Sequence, residues 1–119
     1  MSEDIFNFEK LIVYQKSLDY LDFAYELSDK FPSHENFRLS DQFKRAALSV
    51  SLNIADRAGG TKKEFSNYLR ISRRSAKECL VCTTVAFRRK YISEAENKES
   101  RSRVTEIAKM ISGLRNSLK

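Results

Sequence analysis

The chain has 119 residues and a formal charge of +6, from 22 basic and 16 acidic side chains. That length suits one domain, and no run approaches the roughly 20 apolar residues that a membrane span needs. Three glycines and one proline are too little turn chemistry for a sheet protein, so the composition points to long helices and few corners.

The opening stretch, MSEDIFNFEK, is acidic and lacks an apolar h-region. It does not read as a secretory signal, and a cytoplasmic protein is expected. The first helix is predicted over roughly 13–30. Leu11, Tyr14, Leu18, Leu21 and Tyr25 recur at spacings of three and four and share one face. Phe31-Pro32 ends the helix, because the residue before a proline is pushed out of the α region.

The second helix is predicted over roughly 39–58, with Ser40 as its N-cap. Phe43, Ala46, Ala47, Val50 and Ile54 form its core stripe, and Gly59-Gly60 offers a left-handed stop. The third helix, roughly 62–90, opens with Thr61-Lys62-Lys63-Glu64, a T-x-x-E capping box. Phe65, Leu69, Ser72, Ala76, Cys79, Thr83 and Ala86 then follow at heptad-like spacing. The fourth, roughly 94–118, opens with the S-x-x-E box of Ser93 to Glu96 and repeats Val104, Ile107, Ile111, Leu114 and Leu118. Short connections make such neighbours antiparallel, so the architecture reads as an all-α, up-down four-helix bundle.

A lone bundle would leave some apolar faces wet. On a helical wheel the first helix has a second apolar side of Val13, Tyr20, Ala24, Leu27 and Phe31, and the second carries Leu48 and Leu52 opposite its core stripe. Contiguous exposed apolar area marks interfaces, so Tyr20, Leu27, Leu48 and Leu52 are read as surfaces for self-association.

The charge is uneven. Residues 1–40 carry net −4 (4 basic, 8 acidic), residues 41–91 net +8 (12 and 4), and residues 92–119 net +2 (6 and 4). Such asymmetry favours anionic partners, RNA or DNA first among them. On the third helix Lys63, Arg70, Arg74 and Lys77 fall within an arc of about 60°, flanked by Lys62 and Arg73. Lys44, Arg45 and Arg57 of the second helix, and Arg88, Arg89 and Lys90 at the end of the third, extend the patch. Cations at this spacing can hold phosphates in a salt-sensitive way, and no RRM-like aromatic signature points to base reading. The rival reading is a scaffold whose basic face meets an acidic protein.

GGTKKE lacks the G-x-x-x-x-G-K-[ST] spacing of a P-loop and follows no strand, so it is read as one helix cap joined to the next. Asn53 sits at the edge of the second core stripe. An amide there needs hydrogen bonds, expected from backbone near the Gly-Gly break or from a neighbouring helix. Arg57 must reach solvent or pair with Glu64 or Glu78. Cys79 and Cys82 form a mid-helix C-x-x-C, and the one histidine, His34, is distant in sequence. This gives no nucleophilic triad, no zinc set and no E-x-x-H di-iron motif. No enzyme activity, metal site, cofactor or small-molecule substrate is expected.

Several runs are distinctive: Tyr14-Gln15, Phe31-Pro32 followed by Glu35, Gln42 to Ala46, Ser49 to Asp56, Lys63 to Phe65, and Ser75 to Glu78. Together they make the chain resemble the 23S rRNA-intervening-sequence protein family, also called four-helix bundle proteins. The resemblance implies a left-handed antiparallel bundle that assembles into a ring-like homopentamer. Some relatives are encoded within insertions in 23S rRNA genes, and related bundles act as nucleic-acid-binding accessories to retroelement reverse transcription. It implies no enzymatic activity. The family often has glycine where Arg57 and Arg74 stand here, and both departures add positive charge.

Overall fold

The structure is a computed structural model and describes residues 7–119. Residues 1–6, part of the stretch weighed as a leader, lie outside the described residues. Four helices follow a single turn of 3-10 helix at Asn7–Lys10: α1 (Ile12–Ser28), α2 (Leu39–Asp56), α3 (Lys62–Arg88) and α4 (Glu94–Ser117). A second such turn, Ser33–Glu35, lies between α1 and α2. Each helix packs on the next and α4 packs back on α1, closing an antiparallel four-helix bundle about 47 Å long. Among the described residues no helix is long and apolar enough to cross a membrane.

The core stripes of α2 and α3 form as their periodicity predicts. Phe43, Ala46, Ala47, Val50 and Ile54 are buried, as are Phe65, Leu69, Ser72, Ala76, Cys79, Thr83 and Ala86. Burying such side chains contributes about 1.5–3 kcal/mol for each large apolar residue.

In α1 the second apolar side is the more deeply buried, while Leu11, Tyr14 and Leu21 of the first pack partly buried against the core. Val13, Tyr20, Ala24, Leu27 and Phe31 form the buried seam, whereas Leu18 and Tyr25 are exposed. Tyr20 and Leu27 therefore belong to the core of the single chain and cannot serve as an association surface. The inner seam runs Val13, Ser17, Tyr20, Ala24, Leu27, with one serine among its apolar residues. Ser17 finds a partner inside, because its hydroxyl pairs with that of Ser51 on α2 at 2.9 Å.

Hydroxyls set the register of the other neighbours too. Ser72 donates to the Val50 carbonyl at 2.8 Å and Ser49 pairs with Ser75 at 2.8 Å, both between α2 and α3. Ser100 of α4 pairs with Thr83 of α3 at 2.7 Å and with Tyr20 of α1 at 2.8 Å. A hydroxyl buried without a partner is costly, so sliding one helix past another would break these pairs and be penalised.

The helix ends hold two further corrections. Ser40 does not cap α2, which is preceded by Arg38 and has no side-chain cap. The Ser40 side chain is 2% exposed and its hydroxyl oxygen is unpartnered. Neither Gly59 nor Gly60 is left-handed. α2 ends in a tight turn in which the Gly60 N–H donates to the Arg57 carbonyl at 3.0 Å. The left-handed residue is Lys90, with φ 65°. There the Lys90 N–H reaches the Phe87 carbonyl and the Tyr91 N–H the Ala86 carbonyl, both at 2.9 Å, which is a Schellman end to α3. The two capping boxes form as expected at Thr61/Glu64 and Ser93/Glu96.

Candidate nucleic-acid interface

α3 begins where the Thr61 box fixes its first turn: the Glu64 N–H donates to Thr61 Oγ1, and the Thr61 N–H to Glu64 Oε1, each at 3.1 Å. The Thr61 amide holds the Glu64 carboxyl below the usual carboxylate range. Lys62 and Lys63 stand in this same first turn and are exposed. Cations there oppose the helix dipole, so their positive potential adds to that of the free N–H groups.

From this end the seam between α3 and α4 is open. Three successive cavities run along it, the two largest of about 700 Å³ each. From α3 the lining takes Lys62, Lys63, Arg73 and Lys77. From α4 and just beyond come Lys109, Arg115 and Lys119. The floor is aliphatic or small: Leu80, Val104, Ala108 and Gly113. Two of the cations are braced across the seam. Arg73 donates through Nε to Ser112 Oγ at 2.9 Å, and Arg115 through Nε to Ser66 Oγ at 3.4 Å. Glu64, the acid at one end of this lining, is engaged in the capping box.

The expected basic residues thus divide. Lys62, Lys63, Arg73 and Lys77 share the groove with α4 cations. Arg70 and Arg74 are exposed but do not line these cavities, and Arg70 donates to Asn67 Oδ1 at 3.1 Å. Lys44 and Arg45 do not extend the patch. Lys44 lies over the Tyr25 ring of α1, and Arg45 pairs with Asp41 at 2.9 Å. The α4 cations were missed in the sequence because positions 109, 115 and 119 do not cluster on α4 alone. Only antiparallel packing on α3 sets them opposite Lys62, Arg73 and Lys77. The counterpart signal was present in Lys109, Ser112 and Asn116, whose spacing puts them on one face.

Asn53 bonds neither the Gly-Gly corner nor another helix directly. Its amide donates to the Ser49 carbonyl at 2.9 Å and to Ser49 Oγ at 3.0 Å, one turn back in α2. Ser49 passes the link to Ser75 on α3. Arg57 lies over the Tyr68 ring, 5.1 Å from its centroid, and approaches Glu64 at 4.0 Å.

Of the surfaces assigned to self-association, Leu48 (40% exposed) and Leu52 (57%) remain open. Leu18 and Tyr25 of α1 are exposed as well.

Cys79 and Cys82 are buried, and burial pushes their thiols up, Cys82 to about 11. A nucleophilic or redox thiol needs the opposite shift.

Residues 9–113 match the family profile described as 23S rRNA-intervening sequence protein. The chain is also similar to a crystal structure from Bacteroides thetaiotaomicron, that of a protein with unknown function from the S23 ribosomal protein family. The two are 24% identical with a TM-score of 0.81, over 87% of this chain and 98% of the other. That likeness concerns the fold. No curated protein matches.

Proposed function

Because the chain belongs to the 23S rRNA-intervening sequence protein family, whose fold carries no catalytic constellation in this chain's sequence, we propose a binding role. The protein acts as a non-enzymatic, cytoplasmic bundle that holds RNA or DNA phosphates through the basic side of α3, without base specificity. One observation carries this reading. Lys62, Lys63, Arg73 and Lys77 share a groove with Lys109, Arg115 and Lys119, and its one acid is already engaged. Seven cations against one carboxylate in this lining raise the local potential and attract polyanions.

The proposal includes a ring-like homopentamer, with Leu48 and Leu52 in the contact between copies. Both are large, apolar and exposed in the single chain. A ring repeats each weak groove several-fold and supplies avidity without base contacts.

The test is a titration against RNA and DNA at two salt concentrations, on protein whose mass is fixed by light scattering. Six to ten phosphate contacts cost about 10³–10⁵ in affinity between 50 and 200 mM salt. Reversing Lys63, Arg73 and Lys77 to Glu should abolish binding and leave helicity intact. Binding that survives the reversals would remove α3 from the site. No binding even at the lower salt would turn this face toward an acidic protein partner.

A further inference from the structure

The groove's lining says more than that it is basic. We infer that its occupant is the phosphate backbone of a double-stranded nucleic acid, and that separated strands are poor ligands. This rests on the proposed phosphate-binding role of the same face.

Three features support it. The first is the split of chemistry between rim and floor. The rims carry lysine and arginine, while the floor is Leu80, Val104, Ala108 and Gly113. Proteins that hold single strands set aromatic rings under successive bases, each stack worth about 1–3 kcal/mol. An aliphatic floor with charged rims offers phosphates much and unpaired bases little. The exposed aromatic of α3, Phe87, stands seven residues beyond Leu80, about 10 Å further along the axis.

The second is rigidity. The cations sit on two long helices that hydroxyl pairs hold in register, and Arg73 is braced by Ser112. A fixed array gains most from a ligand whose charges are also fixed. A duplex has already met the ordering cost that a flexible strand would incur on binding.

The third is reach. Lys62 to Lys77 spans about 22 Å of helix, and a duplex strand presents a charge about every 3.4 Å along its axis. Over that length a duplex advances roughly six or seven base pairs, a spacing that base pairing fixes and a flexible strand does not keep.

The experiment is a fluorescence anisotropy titration of the full chain with a duplex of about 20 base pairs, three times the groove's span. Duplex DNA, duplex RNA and each separated strand are compared. The expected result is at least tenfold tighter binding to a duplex than to its strands. If seven cations contact phosphates, the log–log salt slope with duplex DNA should be about −6. Lys77→Glu with Lys109→Glu, exposed residues on opposite rims, should weaken duplex binding at least tenfold, and the milder Lys77→Gln with Lys109→Gln should weaken it less. Single strands that bind as tightly as duplexes would overturn the inference while leaving the phosphate-binding role standing. A duplex preference that survives the rim substitutions would overturn the groove as its site. No binding to any of these ligands would end both.

Discussion

The Tyr20 hydroxyl and the Ser100 hydroxyl lie 2.8 Å apart in the buried core, joining α1 to α4 across 80 residues of sequence. Ser100 also pairs with Thr83, and Thr83 donates to the Cys79 carbonyl at 2.9 Å. One serine thus gathers three helices. Burial raises the Tyr20 phenol well above its usual value, so it stays neutral. Ser100→Ala removes the partner shared by Tyr20 and Thr83 and leaves the Tyr20 hydroxyl with Thr83 alone, which costs about 1–3 kcal/mol. Tyr20→Phe removes one member and leaves Ser100 with Thr83, at about 1 kcal/mol. Urea unfolding should therefore rank Ser100→Ala as the more damaging change, and the reverse order would mean the three hydroxyls do not act as a chain.

Lys90 is the described non-glycine residue with positive φ, at 65°. A side chain there crowds its own carbonyl at roughly 1–2 kcal/mol, whereas glycine does not. The Schellman bonds of Lys90 and Tyr91 require that conformation. Lys90→Gly should stabilise the fold by about 0.5–1 kcal/mol after its larger unfolded-state entropy is counted. Lys90→Val should destabilise it. The urea midpoints of the two variants, measured beside the parent, give the answer.

Much of this bundle was legible from periodicity and punctuation. Capping boxes at Thr61 and Ser93 and the apolar stripes of α2 and α3 are local patterns, and local patterns survive into the structure. Three kinds of feature were not legible. The inner face of α1 depends on what Ser17 meets on α2, which no single-helix wheel contains. The Gly59-Gly60 corner looked left-handed because glycine permits that conformation, but permission is not demand, and the strained position fell to Lys90. The basic groove is a property of two helices. Arg70 and Arg74 cluster on the wheel yet do not line the groove, while Lys109, Arg115 and Lys119 become neighbours of α3 only through packing.

Tyr91 donates to Glu35 Oε2 at 2.8 Å and ties the α3–α4 connection to the turn before α2. That hydroxyl, with the Leu39 amide, holds the Glu35 carboxyl below its usual range. A carboxylate with a depressed folded pKa stabilises the fold above its unfolded pKa, about 4.3, and loses that contribution as the pH falls through the folded value. Glu96 is lowered in the same direction, first by the Lys30 ammonium and then by the Ser93 amide, and Glu64 by its own cap. Stability should fall as the pH drops below about 4.3, and Tyr91→Phe should make that fall shallower. The comparison is urea unfolding of both proteins at a series of acidic pH values. Parallel pH dependences would show that the Tyr91 hydroxyl does not set the Glu35 titration.

Leu52 and Tyr20 separate assembly from folding. Leu52 is 57% exposed and Leu48 40%, whereas Tyr20 is 1% exposed at the centre of the hydroxyl chain. In the proposed ring a charge at Leu48 or Leu52 meets a neighbouring copy, and an unpaired charge held in an apolar contact is strongly disfavoured. Leu48→Glu with Leu52→Glu should therefore reduce the mass seen by light scattering to the 13.8 kDa of one chain, with the helical circular dichroism retained. Tyr20→Glu should instead lose helicity, since the charge would be buried within a single bundle. If the paired leucine change leaves a multiple of the chain mass intact, the copies meet on another face. If the parent is itself a monomer at micromolar concentration, each groove acts alone, and the affinity for nucleic acid should show no avidity.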